Sequence, residues 1–205
     1  MSAAARNLHL ASQSPRRLEL LRQVGLAPTV LPLRLAGPRA DVDETPRPVE
    51  PAREYVQRIA RMKAEAGLKA VAGRRLADGP VLAADTTVSL DGRILGKPTD
   101  ADDAAAMLRA FSGRSHSVLT AVALAWQDRI ALALSESTVR FRILSEAEIA
   151  AYIASHEPFD KAGAYGIQGR AALFVERIEG SYSGVMGLPL FETGELLREA
   201  DLPVL

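Results

Sequence analysis

Two arginines follow a serine-containing turn at the head of a proline-started helix: Leu10–Leu21 reads L-A-S-Q-S-P-R-R-L-E-L-L. Proline suits the first helical position, because its missing N–H would have had no intrahelical partner there. Ser14, just before it, is of the type that caps a helix N-terminus. Free backbone N–H groups, the hydroxyls of Ser12 and Ser14 and the guanidinium groups of Arg16 and Arg17 therefore converge on one place, which suits an anion. Cations at this end of a helix oppose its macrodipole. A locally unfavourable choice beside a tight turn points to phosphate as the ligand. Asp85 is the second signal, an acid inside the apolar run V-L-A-A-D-T-T-V-S-L. An isolated ionised carboxylate there is costly, so it must be paired, metal-bound or at a strand end facing a cleft. The plainer alternative is an aspartate bonded to a nearby backbone turn.

Three further places could join them. Lys97, in I-L-G-K-P, stands between a glycine that permits close backbone approach and a proline that fixes the exit direction. Alone it reads as a solvated lysine; beside Asp85 and the arginine turn it becomes a phosphate contact. The run P-F-D-K-A-G-A-Y-G-I-Q-G places Asp160 and Lys161 before small residues and Gln168 between Ile167 and Gly169. The Gln168 amide can both donate and accept, as reading a nucleobase edge requires; the alternative is a glycine-rich connector with a surface ion pair. Glu44, in D-V-D-E, and Lys63, in A-R-M-K-A-E-A-G, complete the set. An acidic loop is ordinarily solvated and a helical lysine ordinarily lies on the wet face. Lys63 lacks an acidic neighbour at the favoured i,i+4 spacing.

Positioning these groups falls to alternating strands and helices. A short strand over Leu8–Ala11 leads into the first helix, and Thr29–Leu33 reads as a second strand. A Pro-rich polar connector, Ala36–Pro51, carries Asp41, Asp43 and Glu44, and a loop of that length is more often functional than idle. Ala52–Val71 has helical apolar spacing. Val81–Leu90 reads as a buried strand, turning at Asp91–Gly92 into Ile94–Leu95. Asp100–Phe111 is a helix capped by Thr99 or Asp100. Two long β-type runs follow, Ser115–Trp126 and Ile130–Ile143, then a helix over Ser145–Ser155 with the capping-box pattern S-E-A-E. Glycine-rich Gly163–Gly187 holds a strand at Leu173–Ile178, and Glu192–Ala200 forms the last helix. This order implies an α/β fold with a mixed sheet.

Composition narrows the chemistry. The 205 residues suffice for one substantial core. A formal net charge of zero argues against a general nucleic-acid or membrane-surface binder. No cysteine is present, which excludes disulfides and thiolate chemistry, and three histidines make a multi-histidine zinc site improbable. Met1–Arg6 lacks an apolar leader segment, and no run approaches the roughly 18 to 20 apolar residues that span a bilayer. The expected location is the cytoplasm.

Taken together, S-Q-S-P-R-R-x-x-L-L, V-D-E, A-A-D-T-T-V, I-L-G-K-P, F-S-G-R-S-H-S-V-L-T-A-V, F-D-K-A-G-A-Y-G-I-Q-G and G-L-P-L resemble the Maf family, the septum-formation-inhibitor-like nucleoside triphosphate pyrophosphatases. The motifs run in family order from Leu8 to about Leu197. The resemblance implies a single domain over 1–205 with a mixed, twisted sheet flanked by helices, akin to the inosine triphosphatases, and an active-site cleft between two lobes. It also implies a homodimer and cleavage between the α and β phosphates of a nucleotide. Thr86 and Gln168 resemble the branch acting on dTTP and UTP; the branch acting on 7-methyl-GTP carries Gln and Glu at those places. By position, Asp85 resembles the catalytic acid, described as the proton acceptor, and Arg16, Thr86 and Gln168 fall where substrate choice resides. Ser12, Ser14, Arg17, Glu44, Lys63, Lys97, Asp160 and Lys161 match other cleft-lining positions. Gly184 and Thr87 depart from the commoner Asn and Ile or Val, outside the catalytic set.

The expectation is thus an enzyme that hydrolyses dTTP, UTP and modified pyrimidine nucleotides to the monophosphate and pyrophosphate. Such an activity would serve nucleotide-pool cleansing or arrest of cell division. A divalent cation, Mg²⁺ or Mn²⁺, is expected on Glu44 and Asp85 with phosphate oxygens and water. The competing readings are a non-enzymatic nucleotide-binding regulator of septation and a 7-methyl-GTP pyrophosphatase. His116, in S-G-R-S-H-S-V, is expected on an edge-like strand completing a hydrogen bond, with no catalytic role.

Overall fold

The computed structural model describes residues 7–35, 37 and 40–202; Met1–Arg6 and part of the connector, Ala36, Pro38 and Arg39, lie outside them. The strands are β1 (His9–Leu10), β2 (Thr29–Val30), β3 (Val81–Leu90), β4 (Arg93–Leu95), β5 (Ser115–Trp126), β6 (Arg129–Phe141) and β7 (Val175–Glu179). The helices are α1 (Pro15–Gln23), α2 (Ala52–Gly73), α3 (Ala101–Phe111), α4 (Glu146–Ala154), α5 (Tyr182–Met186) and α6 (Leu190–Glu199). All strands join one sheet in the order β2-β1-β3-β5-β6-β7, with β4 also on β3. β1 is parallel to β2 and β3, and the remaining pairings are antiparallel, so the sheet is mixed as expected.

Local chemistry accounts for most boundaries. The β3–β4 hairpin turns at Asp91 and Gly92, both with positive φ, the backbone demanded by a two-residue type I′ turn. Asp100 caps α3 by accepting from the Asp103 N–H, and Ser145 with Glu148 forms the capping box of α4. Several expectations shift. β6 ends at Phe141 rather than at residue 143, and β7 runs from Val175, because Arg170–Leu173 winds into a 3-10 turn. β5 is an interior strand, paired with β3 on one side and β6 on the other, so His116 does not lie on an edge. The short helix α5 was not apparent from sequence, and α6 begins two residues earlier than expected.

The interior divides into clusters on the two sheet faces and at one end. α2 packs one face through Val56, Ile59, Ala60 and Ala64 against Val81, Ala83 and Ala121. α1 and α6 cover the opposite face through Leu20, Leu21, Leu196 and Leu197. α3, α4 and an aromatic group of Phe111, Phe141 and Tyr165 fill the end of the sheet near β7. Each buried Leu, Ile or Phe contributes about 1.5–3 kcal/mol, which makes these faces the anchors of the site elements.

One irregularity in the sheet creates the site. On the side of β3 away from β5, β1 pairs only with Val81 and Leu82, and β4 pairs only with Val88 to Leu90. Among the described residues, 83–87 have no strand partner on that side, and Asp85 sits in the middle of the gap. It is therefore a mid-strand residue opening onto a break in the sheet.

Candidate active site

A cleft of about 1040 Å³ opens at this break. It collects every residue singled out from the sequence: Ser12, Ser14, Arg16, Arg17, Glu44, Lys63, Asp85, Thr86, Lys97, Asp160, Lys161 and Gln168 all line it. These positions come from six separate chain segments. The turn and α1, the acidic loop, α2, β3, the segment after β4 and the 157–169 loop each contribute lining residues to one space.

Lys63 lies at the centre. Its Nζ donates to Asp85 Oδ1 at 2.7 Å and meets Glu44 Oε1 at 2.6 Å. The expected wet-face lysine is in fact only 5% exposed. The reason is the face on which α2 packs: Val56, Ile59, Ala60, Lys63, Ala64 and Gly67 form a single buried stripe. Gly67 lets that stripe come close, since a Cβ there would stand 2.5 Å from Val81 Cγ1 and 3.0 Å from Ala11 Cβ. One turn before it, Lys63 is pressed over β3. Asp85, 8% exposed, is thus the paired case among the options for a buried carboxylate.

Glu44 reaches Lys63 because its loop is fastened to α2. The Tyr55 hydroxyl donates to the Glu44 carbonyl at 3.0 Å. One turn on, Arg58 grips both Glu50 carboxylate oxygens at 2.6 Å and donates to the Thr45 carbonyl at 3.1 Å. Those hydrogen bonds from Arg58 hold the Glu50 carboxyl down at about 2. Burial, assisted by the charges of Asp85 and Glu44, pushes the Tyr55 phenol up, so it stays a neutral donor. Neither Tyr55 nor Arg58 carries a signal in a single sequence beyond helical spacing.

The two arginines of the opening turn divide their work. Arg17 turns inward: Nε donates to the Gly187 carbonyl at 2.8 Å, and its terminal nitrogens donate to Ser12 Oγ at 3.4 Å and Thr86 Oγ1 at 3.2 Å. Burial lowers its pKa, with Asp85 opposing that shift. Arg17 thereby ties the turn to β3 and to the G-L-P-L segment. Arg16 lines the cleft beside it. Ser14 occupies the cap position of α1, but its hydroxyl caps nothing; its N–H donates to Ser12 Oγ at 3.1 Å instead. The turn closes on Ser12, which leaves the Ser14 hydroxyl uncommitted to the helix. Thr86 also meets Thr120 Oγ1 at 3.0 Å, and Thr120 donates to the Gly184 carbonyl at 2.7 Å.

On the opposite wall, the Lys161 Nζ donates to the Glu157 carbonyl at 2.7 Å and pairs with Asp160. Lys97 and Gln168 are exposed at the rim. His116 is buried outside the cleft, with Nε2 2.8 Å from the Tyr165 hydroxyl. It completes a hydrogen bond, as expected, though from an interior strand. Thr120, Tyr55, Arg58 and Glu157 are the site-supporting residues that sequence reasoning did not single out.

Asp85 and Glu44 offer two carboxylates to the cleft. Among the described residues no group of three or more acidic or histidine side chains gathers in a metal-binding arrangement. A pair of carboxylates nevertheless fits the way Mg²⁺ is held in phosphate-handling sites, where substrate phosphates and water supply the other ligands. The charges agree: with Lys63 between them, Asp85 and Glu44 leave one net negative charge, and a triphosphate adds several more.

Among the described residues, no helix is long and apolar enough to cross a membrane. Comparison with known proteins gives a consistent result. The chain is 57% identical over 199 residues to a protein of Aromatoleum aromaticum named dTTP/UTP pyrophosphatase, covering 96% of this chain and 97% of that one. It is 57% identical over 205 residues to a protein of the same name from Nitrosospira multiformis, covering 100% and 99%. A third of that name, from Chromobacterium violaceum, is 56% identical over 199 residues, covering 97% of each chain. The family described as Maf-like protein matches residues 7–200. With the fold, the cleft and these relatives in agreement, the chain belongs to the Maf-like protein family.

Proposed function

We propose that this chain hydrolyses dTTP and UTP to the nucleoside monophosphate and pyrophosphate. The observation that carries the reading is the Glu44–Lys63–Asp85 cluster set in the gap of β3 and faced by the arginine turn. The names of the relatives matched along their whole length support it, as do Thr86 and Gln168 in place of the Gln and Glu of the 7-methyl-GTP branch. A regulator that only binds nucleotide has no use for a buried carboxylate near the phosphates, where it repels the ligand.

In this mechanism Ser12, Ser14, Arg16, Lys97 and Lys161 bind the polyphosphate, and positioning plus fixed charge supply most of the acceleration. Asp85 accepts the proton of a water that attacks the α phosphorus, and the α–β anhydride bond breaks with pyrophosphate leaving. Lys63 holds the Asp85 carboxylate in place through Oδ1. Asp85 and Glu44 would hold Mg²⁺ or Mn²⁺ together with the phosphates. When bound, the ion supplies charge neutralisation and acidifies its water. Gln168, with Thr86, reads the base edge shared by uracil and thymine. Tolerance of the 5-methyl group and the 2′-hydroxyl extends the activity to 5-modified pyrimidine nucleotides.

The same reading takes the chain as one domain and a cytoplasmic homodimer, without nucleic-acid or membrane partners; its zero net charge supports the last point. The test is pyrophosphate release from dTTP, UTP, CTP, GTP, ATP and 7-methyl-GTP with Mg²⁺ or Mn²⁺, wild type beside Asp85→Asn. Turnover concentrated on dTTP and UTP and lost in the variant is expected. Turnover of 7-methyl-GTP, or of nothing, overturns the assignment.

A further inference from the structure

The glycine-rich turn that carries Gln168 is moulded on a single side chain. Glu157 Oε2 accepts from the Arg170 N–H at 3.0 Å, and Glu157 Oε1 accepts from the Tyr152 hydroxyl at 2.9 Å. The same Tyr152 oxygen accepts from the Gly166 N–H at 3.2 Å. The turn thus hangs at both ends, Gly166 and Arg170, from one Tyr152–Glu157 pair, and closes on itself through the Gly169 N–H to the Gly166 carbonyl at 3.0 Å. The fit is close. A Cβ on Gly169 would lie 2.1 Å from Glu157 Oε1, and one on Gly166 would lie 2.6 Å from Lys161 Cε. A side chain on either glycine would therefore displace the Glu157 carboxylate or the end of Lys161. Gln168, between these two anchors, has no hydrogen bond to the protein among the described residues, so the turn is what sets where its side chain starts from.

From this geometry we infer that Glu157 is a positioning residue for base selectivity: with Tyr152, it fixes the Gly166–Gly169 turn so that the Gln168 amide meets the pyrimidine edge. The inference rests on the reading of Gln168 as the base-recognising group. The Glu157 side chain acts on the turn that carries Gln168; its contact with the phosphate-binding Lys161 runs through the main-chain carbonyl, which a side-chain substitution leaves in place. It is a carboxylate for a physical reason. Its two oxygens accept from the Arg170 N–H and from the Tyr152 hydroxyl, and a glutamine keeps at most one charge-free acceptor there, so it must either lose the Arg170 bond or turn the Tyr152 bond around. Loss of a hydrogen bond to a charged acceptor is a sizeable perturbation of a turn with so few other ties.

The experiment is steady-state hydrolysis of UTP and CTP, which differ at the base edge, by wild type, Glu157→Gln, Tyr152→Phe, Gln168→Ala and the Glu157→Gln/Gln168→Ala double variant. The expected result is a drop of about tenfold in the UTP-over-CTP ratio of kcat/KM for Glu157→Gln. The drop should enter through KM, with kcat on UTP within about threefold of wild type. The double variant should be no less selective than Gln168→Ala, because the two residues act through one contact. Tyr152→Phe leaves the Arg170 bond intact and should lose part of the selectivity, which keeps the test sharp where Glu157→Gln lowers expression. Unchanged selectivity in both Glu157→Gln and Tyr152→Phe, with Gln168→Ala impaired, overturns the inference and leaves the Gln168 reading standing. Equal losses on UTP and CTP make Glu157 a general structural residue and also overturn it. Unchanged selectivity in Gln168→Ala removes the base-reading premise itself.

Discussion

Replacing Lys63 by methionine keeps the length and the helix while deleting the one cation between Asp85 and Glu44. The Lys63 side chain is 7% exposed, that of Asp85 11% and that of Glu44 35%. Glu44 can therefore turn back toward water, and its share of the loss is small, as for exposed pairs generally. Asp85 cannot. Breaking a buried pair by removing one partner costs about 3–5 kcal/mol, since the other charge stays desolvated; with the cleft admitting some water, a value near the low end, about 3 kcal/mol, follows. In a chain of this length each kcal/mol moves the midpoint by roughly 2–4 °C, so Lys63→Met should melt roughly 6–12 °C below wild type. Adding Asp85→Asn removes the stranded charge and should restore at least half of that loss, a coupling readable from a double-mutant cycle. Pyrophosphate release from UTP should fall by at least about a hundredfold in Lys63→Met and should not return in the double variant. Calorimetry of the four proteins in one buffer, with UTP turnover alongside, is the assay. A Lys63→Met midpoint within about 2 °C of wild type and no recovery in the double variant would refute the argument that α2 desolvates this pair.

Two other outcomes follow from the geometry. Tyr55→Phe removes the hydrogen bond to the Glu44 carbonyl and should cost about 0.5–1.5 kcal/mol in urea unfolding; activity on UTP should fall several-fold, with Arg58 still holding the loop, and unchanged activity would show that Glu44 needs no such tether. Burial holds His116 down at about 4 against an ordinary 6.5. Its folded form therefore resists a proton that the unfolded chain takes up, stability from this source is complete above about pH 6.5, and up to roughly 3 kcal/mol is lost as pH falls to about 4. Urea midpoints measured from pH 7 to 4.5 should decline in wild type and decline less steeply in His116→Phe. Parallel slopes would exclude His116 as the source.

What the sequence determined by itself is the chemistry and much of the scaffold. Pro15, the Asp91–Gly92 turn, the S-E-A-E capping box and the apolar period of α2 are local signals, and each acts within a few residues of where it is written. The polar motifs also announced themselves, because an aspartate in an apolar strand and two arginines at a helix start contradict the surrounding pattern. Tertiary structure alone decided which partner each group takes. Lys63 reads as a wet-face lysine until α2 is laid on β3 at Gly67, and the same packing gives Asp85 its partner, while the gap that β1 and β4 leave opposite residues 83–87 opens the cleft beside that pair. Arg17 reads from sequence as a phosphate contact, and only the fold shows that its guanidinium also ties to Gly187 and Thr86, each remote in the chain. Glu157 is mute in sequence for the same reason. Its role depends on a tyrosine five residues before it and a glycine turn that folds back over it, and contacts of that kind are set by packing, which periodicity and composition do not encode.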